Sequence, residues 1–204
     1  MINRKSNNGL LPHLFQQEYP KMTAVLCRHF GLKHIEIAED ITSETFLKAV
    51  EHWTTKGVPA NPAAWLYAVA RNKAKDYLKR IVLYDTQIKE AIGPNETIEY
   101  FEFNDQNISD SQLAMIFAVC SPANSPEAQI CLALQILCGF STEEITDAFL
   151  AKPETIKKRL QRAKANLRKD NFQLKNLSET EINSRSDTVL RTLYIIPPEN
   201  RTVS

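Results

Sequence analysis

Between Lys152 and Asp170 the chain carries eight basic side chains, Lys152, Lys157, Lys158, Arg159, Arg162, Lys164, Arg168 and Lys169, against only Glu154 and Asp170. A charge density of this kind suits nucleic acid, whose backbone presents a closely spaced row of phosphates. The same stretch holds Ile156, Leu160, Ala163 and Leu167 at the i, i+4, i+7 and i+11 positions of a helix, so one stripe is apolar and the others are charged. Just upstream, Ser141 and Glu144 have capping-box spacing and open a short helix with Ile145, Ala148 and Phe149 on one face. That helix runs out near Leu150, and Pro153 is suited to the first turn of the next. A short capped helix joined by a tight turn to a basic helix is the construction of a helix-turn-helix, whose second helix enters the major groove. A solvated helix of an ordinary bundle would carry the same charge run. The cap, the turn and the polarity together favour DNA.

A second group of residues lies in NPAAWLYAVARNKAKDYLKR, where Trp65 and Tyr67 alternate with Arg71, Lys73, Lys75, Lys79 and Arg80. Aromatic rings interleaved with cations can stack on unpaired bases while the charges hold the backbone. Packing of Trp65 inside a core is an equal alternative. The preceding segment mixes Glu39, Asp40 and Glu44 with Phe46, Leu47 and Val50. That mixture repels DNA but fits a protein partner with a basic surface, and it fits a plain solvated amphipathic face equally well. The four histidines, His13, His29, His34 and His52, stand without a paired nucleophile or a metal-ligand pattern. No catalytic residue, metal site or cofactor is expected, and the chain does not read as an enzyme.

These groups need rigid supports, and the pattern supplies helices almost throughout. The 204 residues are 43% hydrophobic, enough for a core. Gly and Pro punctuate long stretches with helical periodicity and few alternating β-branched runs. The fold class is all-α. Helices are expected over residues 14–30, with Gly31 as the stop, and over 34–53; a loop over 54–61 contains Gly57 and Pro59. Asn61-Pro62 then opens a helix to about residue 83. Further helices are expected over 111–119, from Ser125-Pro126 to Cys138, through the helix-turn-helix, and over 186–196 before Pro197-Pro198. Two small helical domains follow, residues 10–83 and 111–170, joined by a linker over 84–110 that carries seven acids, Gly93-Pro94-Asn95 and a single lysine. Residues 171–204 form a tail. The net charge of +1 therefore hides two basic blocks around an acidic one.

Cys27, Cys120, Cys131 and Cys138 lack CxxC spacing and histidine partners, and read as buried reduced thiols. No apolar run is long enough to span a membrane, and the N-terminus lacks a signal-peptide core. A cytoplasmic protein is expected.

Taken in order, AEDITSETFLKAV, NPAAWLYAVARNKAKDYLKR and TIKKRLQRAKANLRK resemble regions two and four of bacterial sigma factors of the extracytoplasmic-function type, within the sigma-seventy family. The resemblance runs from about Leu11 to Lys169. It implies an RNA polymerase sigma factor whose partners are core RNA polymerase and promoter DNA, with an anti-sigma factor as a further candidate partner. On that resemblance Asp40, Glu44, Phe46 and Leu47 clamp the polymerase. The loop and Trp65, Arg71, Asn72 and Lys73 capture the minus-ten element, and Lys157, Lys158, Arg159, Gln161 and Arg162 enter the major groove at minus thirty-five. The acidic linker would thread the polymerase channel. Ser43 stands where such factors often have Gln, and RSDTVLRTLYII resembles the opening of a long C-terminal extension found in one subgroup, here truncated. If that extension regulates activity, this chain would be deregulated or impaired. Two other classes remain open on the residues: a stand-alone helix-turn-helix regulator, which would bind duplex DNA tightly without polymerase, and a helical interaction module, which would show no salt-dependent DNA affinity.

Overall fold

The computed structural model describes residues 7–84, 102–170, 172, 174 and 178–195. Eight α-helices and no strand occur among them: α1 (Asn7–Phe30), α2 (Ile35–Lys56), α3 (Pro62–Tyr84), α4 (Asp105–Val119), α5 (Pro126–Cys138), α6 (Thr142–Ala148), α7 (Pro153–Lys169) and α8 (Glu179–Ile195). A single 3-10 turn, Leu32–His34, links α1 to α2. The all-α expectation holds. Most of the expected linker, residues 85–101, and the Pro197-Pro198 stop lie outside the described residues.

The helix ends follow local chemistry. Asn61 Oδ1 accepts from the Ala64 amide at 3.0 Å to open α3, and Ser125 Oγ does the same for Ala128 at the start of α5. Gly139 closes α5 in the left-handed conformation at φ 69°, and Gly57 closes α2 at φ 84°. At α6 both arms of the capping box form: the Glu144 amide donates to Ser141 Oγ at 3.1 Å, and the Ser141 amide donates to Glu144 Oε2 at 2.7 Å.

Four boundaries differ from expectation. α1 begins at Asn7 rather than residue 14, because Leu10 and Leu11 still pack on the core. α2 continues through residues 54–56, so the loop is only 57–61, with the Thr54 hydroxyl donating to the Val50 carbonyl. α4 begins at Asp105, where Asn104 Oδ1 accepts from the Asn107 amide at 2.8 Å; the acids at 105 and 110 belong to a capped helix rather than to a linker. α8 begins at Glu179 behind a second capping-box pair, Ser178 and Glu181.

The two sequence-defined units share one core. α1 lies at the centre, packed on α2 and α3 on one side and on α4 and α5 on the other. Buried Ala24, Val25, Leu26 and Cys27 of α1 and Ile35 and Ala38 of α2 join Met115, Val119, Leu132, Ile136, Ile156 and Leu167 in one apolar cluster. A second cluster, Leu14, Tyr19, Met22, Phe46, Ala49, Trp53, Leu66 and Ala70, fills the space between α1, α2 and α3. Two separate domains are therefore not what the described residues form: the buried face of α1 serves both halves.

Candidate polymerase and nucleic-acid interface

Three charged faces carry the residues singled out by the sequence. The first is the outer side of α2. Asp40 and Glu44 are exposed, and Leu47, 62% exposed, stands beside the half-exposed Val50, so acids and bare apolar surface adjoin there. Phe46 is different. It is 5% exposed, with its ring 4.9 Å from Phe15 and 6.5 Å from Tyr19, and its burial supports the helix rather than offering a contact. Phe46 and Leu47 are one helical step apart, and tertiary packing alone decides which of the two adjacent apolar residues turns inward.

The second face is α3. Arg71 and Asn72 are exposed, as are Lys79 and Arg80, while Trp65 is half-buried at the edge of the core, 5.4 Å from Trp53 and 5.2 Å from His52, ring to ring. Trp65 thus packs on Trp53 and His52 while part of its surface stays exposed. Lys73 reaches across to α2 and ion-pairs with Glu44, which joins a residue expected on DNA to one expected on polymerase. Tyr67, on the opposite edge of α3, donates its hydroxyl to buried Glu18 and stacks nearly parallel on Phe103 at 4.8 Å. Burial together with the Glu18 carboxylate pushes the Tyr67 phenol well above its ordinary range. Sequence reasoning did not find this anchor, because Phe103 lies 36 positions further along the chain.

The third face is α7. Its stripe Ile156, Leu160, Ala163 and Leu167 is buried as expected. Lys157, Lys158, Gln161 and Arg162 are exposed, and Lys157 pairs loosely with Glu154 at 3.6 Å. Arg159 is half-buried, its guanidinium 5.6 Å from the centre of the Phe149 ring. The turn between α6 and α7 places exposed Leu150 at φ 49°, a left-handed conformation that a branched residue adopts at a cost.

The far end of α7 is not free. Lys164 Nζ lies 2.7 Å from both carboxylate oxygens of Glu39 on α2, with both side chains largely buried. One turn on, Arg168 pairs with Glu36, and Arg28 of α1 meets Asp110 of α4 at 3.4 Å. Glu39 titrates above its ordinary range because its burial outweighs the pull of Lys164. This seam joins residues 125 positions apart, and nothing local in the sequence announces it.

All four cysteines are free and buried, and burial raises the thiols of Cys27, Cys120 and Cys131. Among the described residues, no group of three His, Cys, Asp or Glu side chains converges as a metal site, and no helix is long and apolar enough to cross a membrane.

An uncharacterized protein of Rhizobium meliloti (strain 1021) is 27% identical over 187 residues, covering 87% of this chain and 42% of that protein. The chain thus spans less than half the length of that relative. Residues 14–81, from within α1 to the end region of α3, match the family model described as Sigma-70 region 2, and this segment holds both the acidic α2 face and the basic α3 face.

Proposed function

We propose that the chain is a sigma factor with the layout of the extracytoplasmic-function type, a subunit that lends core RNA polymerase its promoter specificity and has no catalytic residue of its own. The observation that carries this reading is the match of residues 14–81 to Sigma-70 region 2, which falls on the segment where an acidic, partly apolar helix face adjoins a basic one. In this reading Asp40, Glu44 and Leu47 meet a basic polymerase surface, and Phe46 holds α2 in place behind them. Trp65, Arg71, Asn72 and Lys73 take the opened minus-ten strand by stacking and charge. The exposed N-terminal half of α7, with Lys157, Lys158, Arg159, Gln161 and Arg162, meets the minus-thirty-five duplex. α6 and α7 support this last step through their capped helix, four-residue turn and basic second helix.

The test is co-purification of the intact chain with bacterial core RNA polymerase. Stoichiometric binding that is lost in Asp40→Arg and Leu47→Asp, with folding unchanged by circular dichroism, is the expected result. Retained duplex binding without any association with polymerase would refute the sigma reading in favour of a stand-alone regulator.

A further inference from the structure

A cavity of about 440 Å³ opens between the α4–α5 turn, the first turn of α5 and the outer side of α7. Among its lining residues are Ser125, Thr155, Lys158, Arg159, Arg162 and Asn166. Its floor is built rather than accidental. Buried Asn124 donates to the Ala163 carbonyl at 3.3 Å and accepts from Asn166 Nδ2 at 3.0 Å, and Asn166 also donates to the Ala123 carbonyl at 3.2 Å. Gln129, itself buried, donates to the Ser121 and Asn124 carbonyls at 2.8 and 3.0 Å. The turn is thereby pinned to α7 through Asn124 and Asn166 and to α5 through Gln129. Three cations line the cavity and no carboxylate does. Glu127, at the start of α5, is fully exposed and accepts from the Ser125 hydroxyl at 2.9 Å; its own backbone amide, then Ser125, hold it below the usual carboxylate range.

Lys157 and Gln161 do not line this cavity. They share a neighbouring stripe one helical turn apart, so α7 presents two exposed edges of different character. One edge, Lys158 and Arg162 with half-buried Arg159, faces a walled recess that also offers the Thr155 and Ser125 side chains. The other edge is open.

We propose that the recess is a seat for one phosphate of a nucleic-acid backbone, and that Lys158, Arg159 and Arg162 position the duplex while Lys157 and Gln161 are left to read base edges. The inference rests on the proposed DNA-facing role of α7 and changes it: three of the five residues assigned to base recognition become sequence-independent contacts. A guanidinium braced across Phe149 and a lysine one position away match the oxygens of a tetrahedral anion, and the recess has room for a phosphate with its sugar. The chemistry is that of a phosphodiester or of free inorganic phosphate, which the experiment separates.

The intact protein is titrated with a duplex selected from a randomised pool and with its scrambled counterpart, across roughly 50 to 200 mM salt. Lys158→Ala and Arg162→Ala should each weaken both duplexes by the same factor and lower the salt slope by about one unit, whereas Gln161→Ala should narrow the preference and leave the slope in place. In a parallel arm, inorganic phosphate should shift the amide resonances of Glu127 and Ala128 in the wild type and not in Lys158→Ala. A narrowed preference with an unchanged slope in Lys158→Ala and Arg162→Ala overturns the seat. Phosphate-dependent shifts in a protein that binds neither duplex support the seat and sink the DNA-facing reading of α7; no shifts and no duplex binding sink both.

Discussion

Substituting Lys164 by Met leaves Glu39 at the seam between α2 and α7 with no counter-charge. The Lys164 ammonium sits 2.7 Å from both Glu39 oxygens, and the two side chains are only 14% and 12% exposed. At an effective dielectric of about 20 an attraction of about 6 kcal/mol operates at that distance. Removing both ions from water costs several kcal/mol each, so the pair as a whole is worth little against two neutral side chains. The raised pKa of Glu39 points the same way, since burial outweighs the lysine. Losing one partner is another matter: an unpaired, mostly buried charge costs about 3 kcal/mol, the lower end of the usual range because some water reaches the seam. Lys164→Met should lower the urea midpoint by about 1 to 1.5 M, whereas Glu39→Gln, which mimics the neutral carboxyl that burial already favours, should cost much less, and the double variant should return to within about 1 kcal/mol of wild type. The pH dependence has a definite sign. With the folded pKa of Glu39 above its unfolded value, the native state holds the extra proton between the two. Wild type should therefore lose stability relative to Glu39→Gln as pH rises from the ordinary Glu value through the folded one, by up to about 1.4 kcal/mol per pH unit. Single variants that each cost under about 0.5 kcal/mol and add in the double would mean that the seam is open in solution, and the argument fails.

Phe46→Ala should cost about 3 to 5 kcal/mol by leaving a hole against Phe15 and Tyr19, so its midpoint in urea should fall sharply, whereas Leu47→Asp should leave the midpoint within about 0.5 kcal/mol of wild type; similar midpoints for the two would contradict the burial of Phe46. Leu150 is 95% exposed at φ 49°, and Leu150→Gly removes the left-handed penalty of about 1 to 2 kcal/mol while adding backbone entropy to the unfolded chain. The net expected from thermal melts is a gain of about 0.5 kcal/mol, and a loss would count against that backbone conformation. Ser141→Ala removes one arm of the capping box ahead of α6 and should cost about 1 kcal/mol, read by denaturation, with faster amide exchange confined to the first turn of α6.

The parts of the fold that were readable in the sequence are those set by neighbours within a few positions. Asn61-Pro62, Ser125-Pro126 and the Ser141–Glu144 box each fix a helix start through a bond spanning three residues, and the Ile156, Leu160, Ala163 and Leu167 stripe follows from helical period alone. Acid-rich composition hid the start of α4, although Asn104 ahead of Asp105 is a serviceable cap signal. The Ser178–Glu181 box was equally available and places α8 seven residues before the expected start. What could not be read depends on contacts between distant positions. Phe46 and Leu47 differ by one helical step, and only Phe15 and Tyr19 determine which is inside. The union of the two halves through α1 is of the same kind: consecutive Ala24, Val25, Leu26 and Cys27 point to different sides of the helix, and all are buried only because both halves pack around it.

Charge counted along α7 overstates what is available to a phosphate backbone. Of its cations, Lys164 and Arg168 are committed to Glu39 and Glu36, and the exposed Lys157–Glu154 pair, 3.6 Å apart, is too weak to withhold Lys157 from a better partner. The free positive surface therefore lies at the N-terminal half of the helix, beside the α4–α5 turn, which is also the half that a recognition helix presents to the groove. The C-terminal half is joined to α2 at Glu36 and Glu39, within about one turn of Asp40 and one to two turns of Glu44. α2 consequently packs on three sides: Phe46 and Trp53 hold it against α1 and α3, Glu36 and Glu39 hold α7, and Asp40 and Leu47 remain open beside Glu44, which is paired with Lys73. A substitution meant to probe the open side has to leave the other two intact, which is why Asp40 and Leu47 are informative positions and Glu39 and Phe46 are not.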